Sequence, residues 1–176
     1  MLRRDPFANP EPLIKRVYAY VAYRVGDGAD AEDITSATFE RALRYKKSFD
    51  AGKGDATAWL IGIARREIAG HFASRADAGR VLPELALPGD LATDSADRMD
   101  LEAAVAELDP RDRELIALRY GADLSARQIA ELLELKTNAV EVALHRALRK
   151  LRDRLDSSIS LERGVRNQAI PLVNDE

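Results

Sequence analysis

The 176-residue sequence has no cysteine, two histidines and one tryptophan, and aromatic residues make up 6% of it. Without cysteine it can build no disulfide framework, no Cys-based zinc site and no thiol nucleophile. His71 and His145 stand in different halves of the chain, so a histidine metal pair is not expected. No apolar run approaches the roughly 20 residues that a membrane helix needs. The start, Met1-Leu2-Arg3-Arg4-Asp5-Pro6, is not followed by the apolar core of a signal peptide. A soluble cytoplasmic protein is therefore expected. A glycine-rich phosphate loop, Gly-x-Ser-x-Gly and His-Glu-x-x-His are also missing, so neither an enzyme nor a cofactor is expected.

Net charge is only −3, which at first argues against a nucleic-acid partner. The sum hides an uneven distribution. Residues 1–75 carry 13 basic and 10 acidic side chains, and residues 76–100 carry 2 and 6. Residues 101–155 carry 10 of each, but 136–155 alone holds 6 basic against 2 acidic. Two basic regions thus flank an acidic middle.

Apolar spacing reads as helix throughout, with no useful strand-like alternation. Leu13, Ile14, Val17, Tyr18, Val21 and Val25 mark a first helix that Gly26 and Gly28 stop. Asp30 reads as the N-cap of a second helix over about 31–47. After the glycine-rich stretch 49–55, Trp59, Leu60, Ile63, Ala64, Ile68 and Phe72 mark a third helix ending near Arg75. Residues 76–97 lose this periodicity, gain Pro83 and Pro88 and turn acidic, as in a linker. Beyond it, Asp109-Pro110 opens one helix, Ser125 with Gln128 forms a capping box for the next, and a last helix starts near Thr137. The fold class is all-α: two small helical bundles joined by a flexible linker. The bounds are 10–75 and 98–155, with a tail at 156–176 that is either disordered or packed on the second module or a partner.

The pair 126–133 and 137–151, about three residues apart, shares the apolar set Ile129, Leu133, Val140 and Leu144. Such a pair fits a helix-turn-helix whose second helix enters the major groove. It also fits an antiparallel helical hairpin with a solvated basic edge. On the first reading, Lys136, Thr137, Asn138, Glu141, Val142 and His145 face the bases. Arg146, Arg149 and Lys150 are then available for phosphates, and Arg127 is a further DNA-binding candidate of the helix-turn-helix.

Asp30-Ala31-Glu32-Asp33-Ile34, Thr38-Phe39-Glu40-Arg41-Ala42-Leu43, Trp59-Leu60 and Ile63-Ala64-Arg65-Arg66 resemble the second conserved region of bacterial sigma factors. Leu108-Asp109-Pro110-Arg111-Asp112-Arg113-Glu114, Leu118-Arg119-Tyr120, Leu124-Ser125, Gln128-Ile129-Ala130-Glu131 and Leu144-His145-Arg146-Ala147 resemble the fourth. The two matches come in order and cover about residues 10–155. A chain of this size with only these regions resembles the extracytoplasmic-function group. That resemblance implies a non-enzymatic protein that binds core RNA polymerase, directs it to a promoter and helps open the DNA. It also implies that many members are held inactive by an anti-sigma factor.

By resemblance, polymerase docking falls on Asp33, Ser36, Phe39, Arg41 and Leu43, although Phe39 and Leu43 also fit ordinary core positions. The minus-ten side of the promoter falls on Lys53, Trp59, Arg65, Arg66, His71 and Arg75. Trp59 opens the apolar stripe of its helix, so packing competes with base stacking there. His71 also reads as a solvated side chain. The minus-thirty-five side falls on the helix-turn-helix. Here the run Glu141-Val142-Ala143 departs from the basic or small polar residues usual in the family. Glutamate repels phosphate but can accept from cytosine N4, and Val or Ala can touch a thymine methyl. A helix-turn-helix regulator acting without replacing a sigma factor and a protein-binding helical adaptor are the other readings.

Overall fold

In the computed structural model, residues 7–52, 54–77, 101 and 103–168 are described, with side chains given for all of these except 77 and 158–168. Every regular element among them is helical. Helix α1 spans Glu11–Val25, with a proline in its first turn where no N–H is needed. Gly26 and Gly28 follow at φ 94° and 117°, a region closed to most other residues, and turn the chain into α2, Ala29–Arg44. Gly28 is the N-cap of α2, and Glu32 N–H bonds to its carbonyl at 3.0 Å. Asp30 is therefore not the cap; it already lies inside the helix. A short 3-10 turn, Lys46–Ser48, ends this hairpin, so the helix stops before Lys47.

Helix α3, Ala56–Asp77, begins before Trp59 because Asp55 caps it, accepting from Thr57 N–H at 2.9 Å and Ala58 N–H at 3.3 Å. It ends two residues beyond the expected Arg75, and the rest of the expected linker lies outside the described residues. A short helical piece, α4 (103–106), leads to α5, Pro110–Ile116. A π turn at Ala117–Gly121 follows, then α6, Ala126–Leu133, and α7, Thr137–Gln168. As expected, Asp109 caps α5, and Ser125 with Gln128 forms the capping box of α6. The last helix runs past Asp156, so the tail continues α7 as far as Gln168.

The two modules are not separate bodies. One cluster of buried side chains runs from Val17, Tyr20 and Leu60 to Leu118, Leu124 and Ile129. Burying each such aliphatic side chain contributes roughly 1.5–3 kcal/mol. One close junction lies where α1 meets the π turn. A Cβ added at Gly121 would sit 2.9 Å from both N and Cα of Tyr20, a gap that only glycine fits.

Candidate nucleic-acid and polymerase interface

The helix-turn-helix is built from the cap outward. Ser125 Oγ accepts from Gln128 N–H at 3.3 Å while Gln128 Oε1 accepts from Ser125 N–H at 2.9 Å, which fixes the start of α6. At its other end Glu134 adopts φ 56°, and Leu135 N–H bonds to the Ala130 carbonyl at 2.9 Å. That reversal sends the chain into α7, whose buried Val140, Leu144 and Ala147 seat it on α5 and α6. The opposite face is open: Lys136, Thr137, Asn138, Glu141, Val142, His145, Arg146 and Arg149 are all exposed. At 3.6 residues per turn, Asn138, Glu141, Val142, His145 and Arg149 share one face. Arg127 is also exposed but pairs with Glu131 at 3.0 Å within α6.

Beside this face lies a groove of about 540 Å³, lined among others by Arg111, Lys136, Asn138, Val142 and Arg146. Lys150 also lines it, yet its ammonium bonds to Asp109 at 3.0 Å and to Asp112. These two carboxylates, Asp112 first, push the lysine's pKa up and hold it as a fixed cation. Lys150 therefore ties α7 to the cap of α5 and positions the recognition helix rather than offering a loose charge to DNA.

The candidates for polymerase docking separate by position on α2. Asp33, Ser36 and Leu43 lie on one outward stripe, and Leu43 is 72% exposed, which nothing in the packing of the described residues explains. Phe39 is half-buried and packs against the core. Arg41 is exposed but turned toward α3, where it pairs with Glu67 at 2.8 Å.

The minus-ten candidates do not form one surface. Trp59 packs in an aromatic cluster with Phe7 and Phe49, at ring-centroid distances of 5.9 and 5.3 Å. His71 and Arg75 both face Asp30, at 3.6 and 2.7 Å, which is the role Asp30 takes in place of capping. Arg66 points outward and is exposed. Arg65 faces the second module, where its Nε lies 2.8 Å from Glu114 Oε1. Lys53 lies outside the described residues.

Glu114 was not legible as a site residue, although an acid directly before the apolar run Leu115-Ile116-Ala117-Leu118 is a weak signal of a paired charge. Besides Arg65 it meets Arg24 at 3.3 Å and accepts from the Tyr20 hydroxyl at 3.4 Å. Burial raises the Tyr20 pKa well above the usual phenol range, so the hydroxyl stays a donor. Among the described residues, no group of His, Asp and Glu could hold a metal, and no helix is long and apolar enough to cross a membrane.

An exposed helix face held by a capped partner helix, beside a second helical module, is the arrangement of a two-module helix-turn-helix protein. Comparison with known proteins makes this specific. The family model of sigma-70 region 2 matches residues 11–77 and that of sigma-70, region 4 matches residues 98–151. The ECF RNA polymerase sigma factor BldN of Streptomyces coelicolor is 36% identical over 77% of this chain, which spans 54% of BldN's length. SigK of Mycobacterium ulcerans, another ECF RNA polymerase sigma factor, is 28% identical over 88% of both chains. The fold matches that of the sigma factor RpoE from Bartonella quintana, crystallised with the anti-sigma factor NepR, at a TM-score of 0.70 and 20% identity, over 84% of this chain and 94% of that one. CnrH, solved with the cytosolic domain of CnrY, aligns at a TM-score of 0.57 and 24% identity over 86% and 85% of the two chains. The chain belongs to the ECF sigma factors, alternative sigma factors that bind RNA polymerase and promoter DNA to initiate transcription.

Proposed function

We propose that this chain acts in the cytoplasm as a non-enzymatic initiation factor, with docking and DNA reading divided between its two modules. The first module, residues 10–75, docks on core polymerase through the α2 stripe of Asp33, Ser36 and Leu43, with Phe39 behind it and Arg41 at its edge. Arg66 and, once released, Arg65 follow the minus-ten strand, with Lys53 and Arg75 as further cations and His71 beside them. The second module, residues 98–155, reads the minus-thirty-five duplex through α7.

The observation that carries this reading is the open face Asn138, Glu141, Val142, His145 and Arg149, held in place by the α6 capping box and by Lys150. Asn138 and Glu141 offer hydrogen-bonding groups to base edges, Val142 an apolar surface for a thymine methyl, and Arg149 a phosphate contact. The relative solved with the anti-sigma factor NepR supports an anti-sigma partner for this chain as well.

The test is reconstituted transcription: core polymerase with this protein should start at a defined set of genomic promoters that core alone ignores. No specific start anywhere on the genome would refute the reading. An autonomous helix-turn-helix regulator is the second reading, favoured by the full exposure of the α7 face while the modules are packed together. Tight, sequence-specific duplex binding by the chain without polymerase would support it.

A further inference from the structure

Arg111 stands on α5, outside the helix-turn-helix, yet it lines the same groove of about 540 Å³ as Lys136, Asn138, Val142 and Arg146. Arg111, Lys136 and Arg146 are exposed, and their side chains make no ion pair or hydrogen bond among the described residues. Other cations of this module already have partners. Lys150 binds Asp109 and Asp112, Arg154 binds Glu107, and Arg127 binds Glu131. Arg113 donates to the Ala106 and Leu108 carbonyls, and Arg119 to that of Leu124. Asp112, an acid in the groove wall, is offset by Lys150. The uncompensated charge of the groove is therefore positive, and it is supplied from two elements.

Stability does not account for Arg111. A cation in the first turn of a helix opposes the positive end of the helix dipole, and this one meets no acid among the described residues. DNA reading does account for it. A helix seated in the major groove, roughly 12 Å wide, has a phosphate strand along each side. Residues 137–143, the first two turns of α7, carry a single charged side chain, Glu141, and an acid repels phosphate. A cation on a neighbouring element supplies what the helix lacks there. Arg111 is held at a fixed distance from the reading face, because Asp109 and Asp112, on either side of it in sequence, both bind Lys150 of α7.

We propose that Arg111 grips a backbone phosphate of the minus-thirty-five duplex, with Lys136 and Arg146 along the same groove, and so sets the register of α7 on the bases. The inference rests on the proposed function and adds to it a DNA-binding residue outside the helix-turn-helix. The guanidinium N–H groups donate to phosphate oxygens, a contact that fixes orientation and carries no base preference.

The test uses the full-length protein assembled with core polymerase on a duplex spanning a promoter from which that polymerase starts. Phosphates across and beside the minus-thirty-five element are replaced one at a time by uncharged methylphosphonates, and binding is measured for wild type, Arg111→Ala, Arg111→Lys and Arg152→Ala. In wild type, replacements at contacted phosphates should weaken binding roughly three- to tenfold. Arg111→Ala should weaken binding to the unmodified duplex by a similar factor, shallow the logarithmic salt slope by about 0.9, and lose sensitivity at one of those phosphates while the preferred sequence stays the same. Arg111→Lys should retain sensitivity at that phosphate. Arg152 is an exposed arginine of the same module that does not line the groove, and Arg152→Ala should keep the wild-type pattern. The melting temperature of Arg111→Ala should match wild type, since the side chain has no partner to lose among the described residues.

An Arg111→Ala protein that keeps every wild-type sensitivity would overturn the proposal. So would a changed base preference in that variant, or the same lost sensitivity in Arg152→Ala. A wild type insensitive to every methylphosphonate at the minus-thirty-five element would instead remove the functional reading beneath, because α7 would then meet no duplex there.

Discussion

Replacing Asp109 tests whether the two modules melt as one body. The Asp109 carboxylate accepts from Asp112 N–H at 3.0 Å, closing the first turn of α5, and takes Lys150 of α7 at 3.0 Å. Both members of the ion pair are half exposed, so the pair itself contributes little and the cap carries the effect. Asp109→Ala should cost about 1 kcal/mol. Asp109→Asn keeps a cap of equal rank and should cost only a few tenths of that. Because the buried cluster is continuous through both modules, the loss falls on the whole unit. For a chain of this length, about 1 kcal/mol lowers a single melting transition by roughly 2–4 °C. If the second module melted alone, its own transition would fall by roughly 4–8 °C and another would stay put. Scanning calorimetry distinguishes these, and two transitions with only one displaced would refute the shared core.

Acid titration adds an internal check. The Asp112 N–H, and after it Lys150, hold the Asp109 carboxyl at about 2 against an ordinary 3.8. An acid whose pKa is lowered on folding adds stability that is present above its unfolded value and lost as pH falls through its folded value. Wild type should therefore lose this increment between about pH 4 and pH 2, and Asp109→Asn should lack it.

Four further outcomes are expected. Leu43→Ser should leave the melting temperature within the change expected of a surface substitution, about 0.5 kcal/mol, while weakening core-polymerase binding in a pull-down or fluorescence titration. Phe39→Ala should lower both stability and binding, because that ring packs on the core, and a drop in binding alone would refute its half-buried placement. Arg149→Ala should weaken promoter binding across all sequences and shallow the salt slope by about 0.9, whereas Asn138→Ala and Glu141→Ala should change the preferred sequence in a selection experiment. Burial, with a smaller push from Tyr120, raises the Tyr23 hydroxyl to about 12, so stability should hold below pH 10 and fall as pH rises toward 12, with a shallower fall in Tyr23→Phe measured by chemical denaturation.

Features set by neighbouring residues are legible in the sequence itself. The apolar spacing of 3.6 places the helices, and the pairs Ser125 with Gln128 and Asp109 with Pro110 place two helix starts correctly, because a cap needs only local residues. The α7 reading face is legible for the same reason: its members all lie on one helix, so their spacing alone sets their common direction. Asp30 misleads because a good capping residue is one candidate among its neighbours. Gly26 and Gly28, with φ above zero, start the helix earlier and leave Asp30 to Arg75 and His71 of α3.

The minus-ten candidates show where spacing stops carrying information. Arg65 and Arg66 are adjacent and chemically identical, yet one is bonded to Glu114 and the other is exposed. What separates them is the direction of successive residues around α3, about 100° apart, and the presence of another module on one side of that helix. Nothing local to residues 59–75 encodes that module's position. Its traces are two residues elsewhere: a glycine at 121, where any side chain would strike the α1 backbone, and an acid at 114 next to an apolar run. Each is commonplace alone. Together they form a junction between helices distant in sequence, with a size limit at Gly121 and a charge requirement at Glu114. A sequence in which Gly121 became larger could keep every motif of both modules and still lose this junction, so a position outside the motifs helps to specify it.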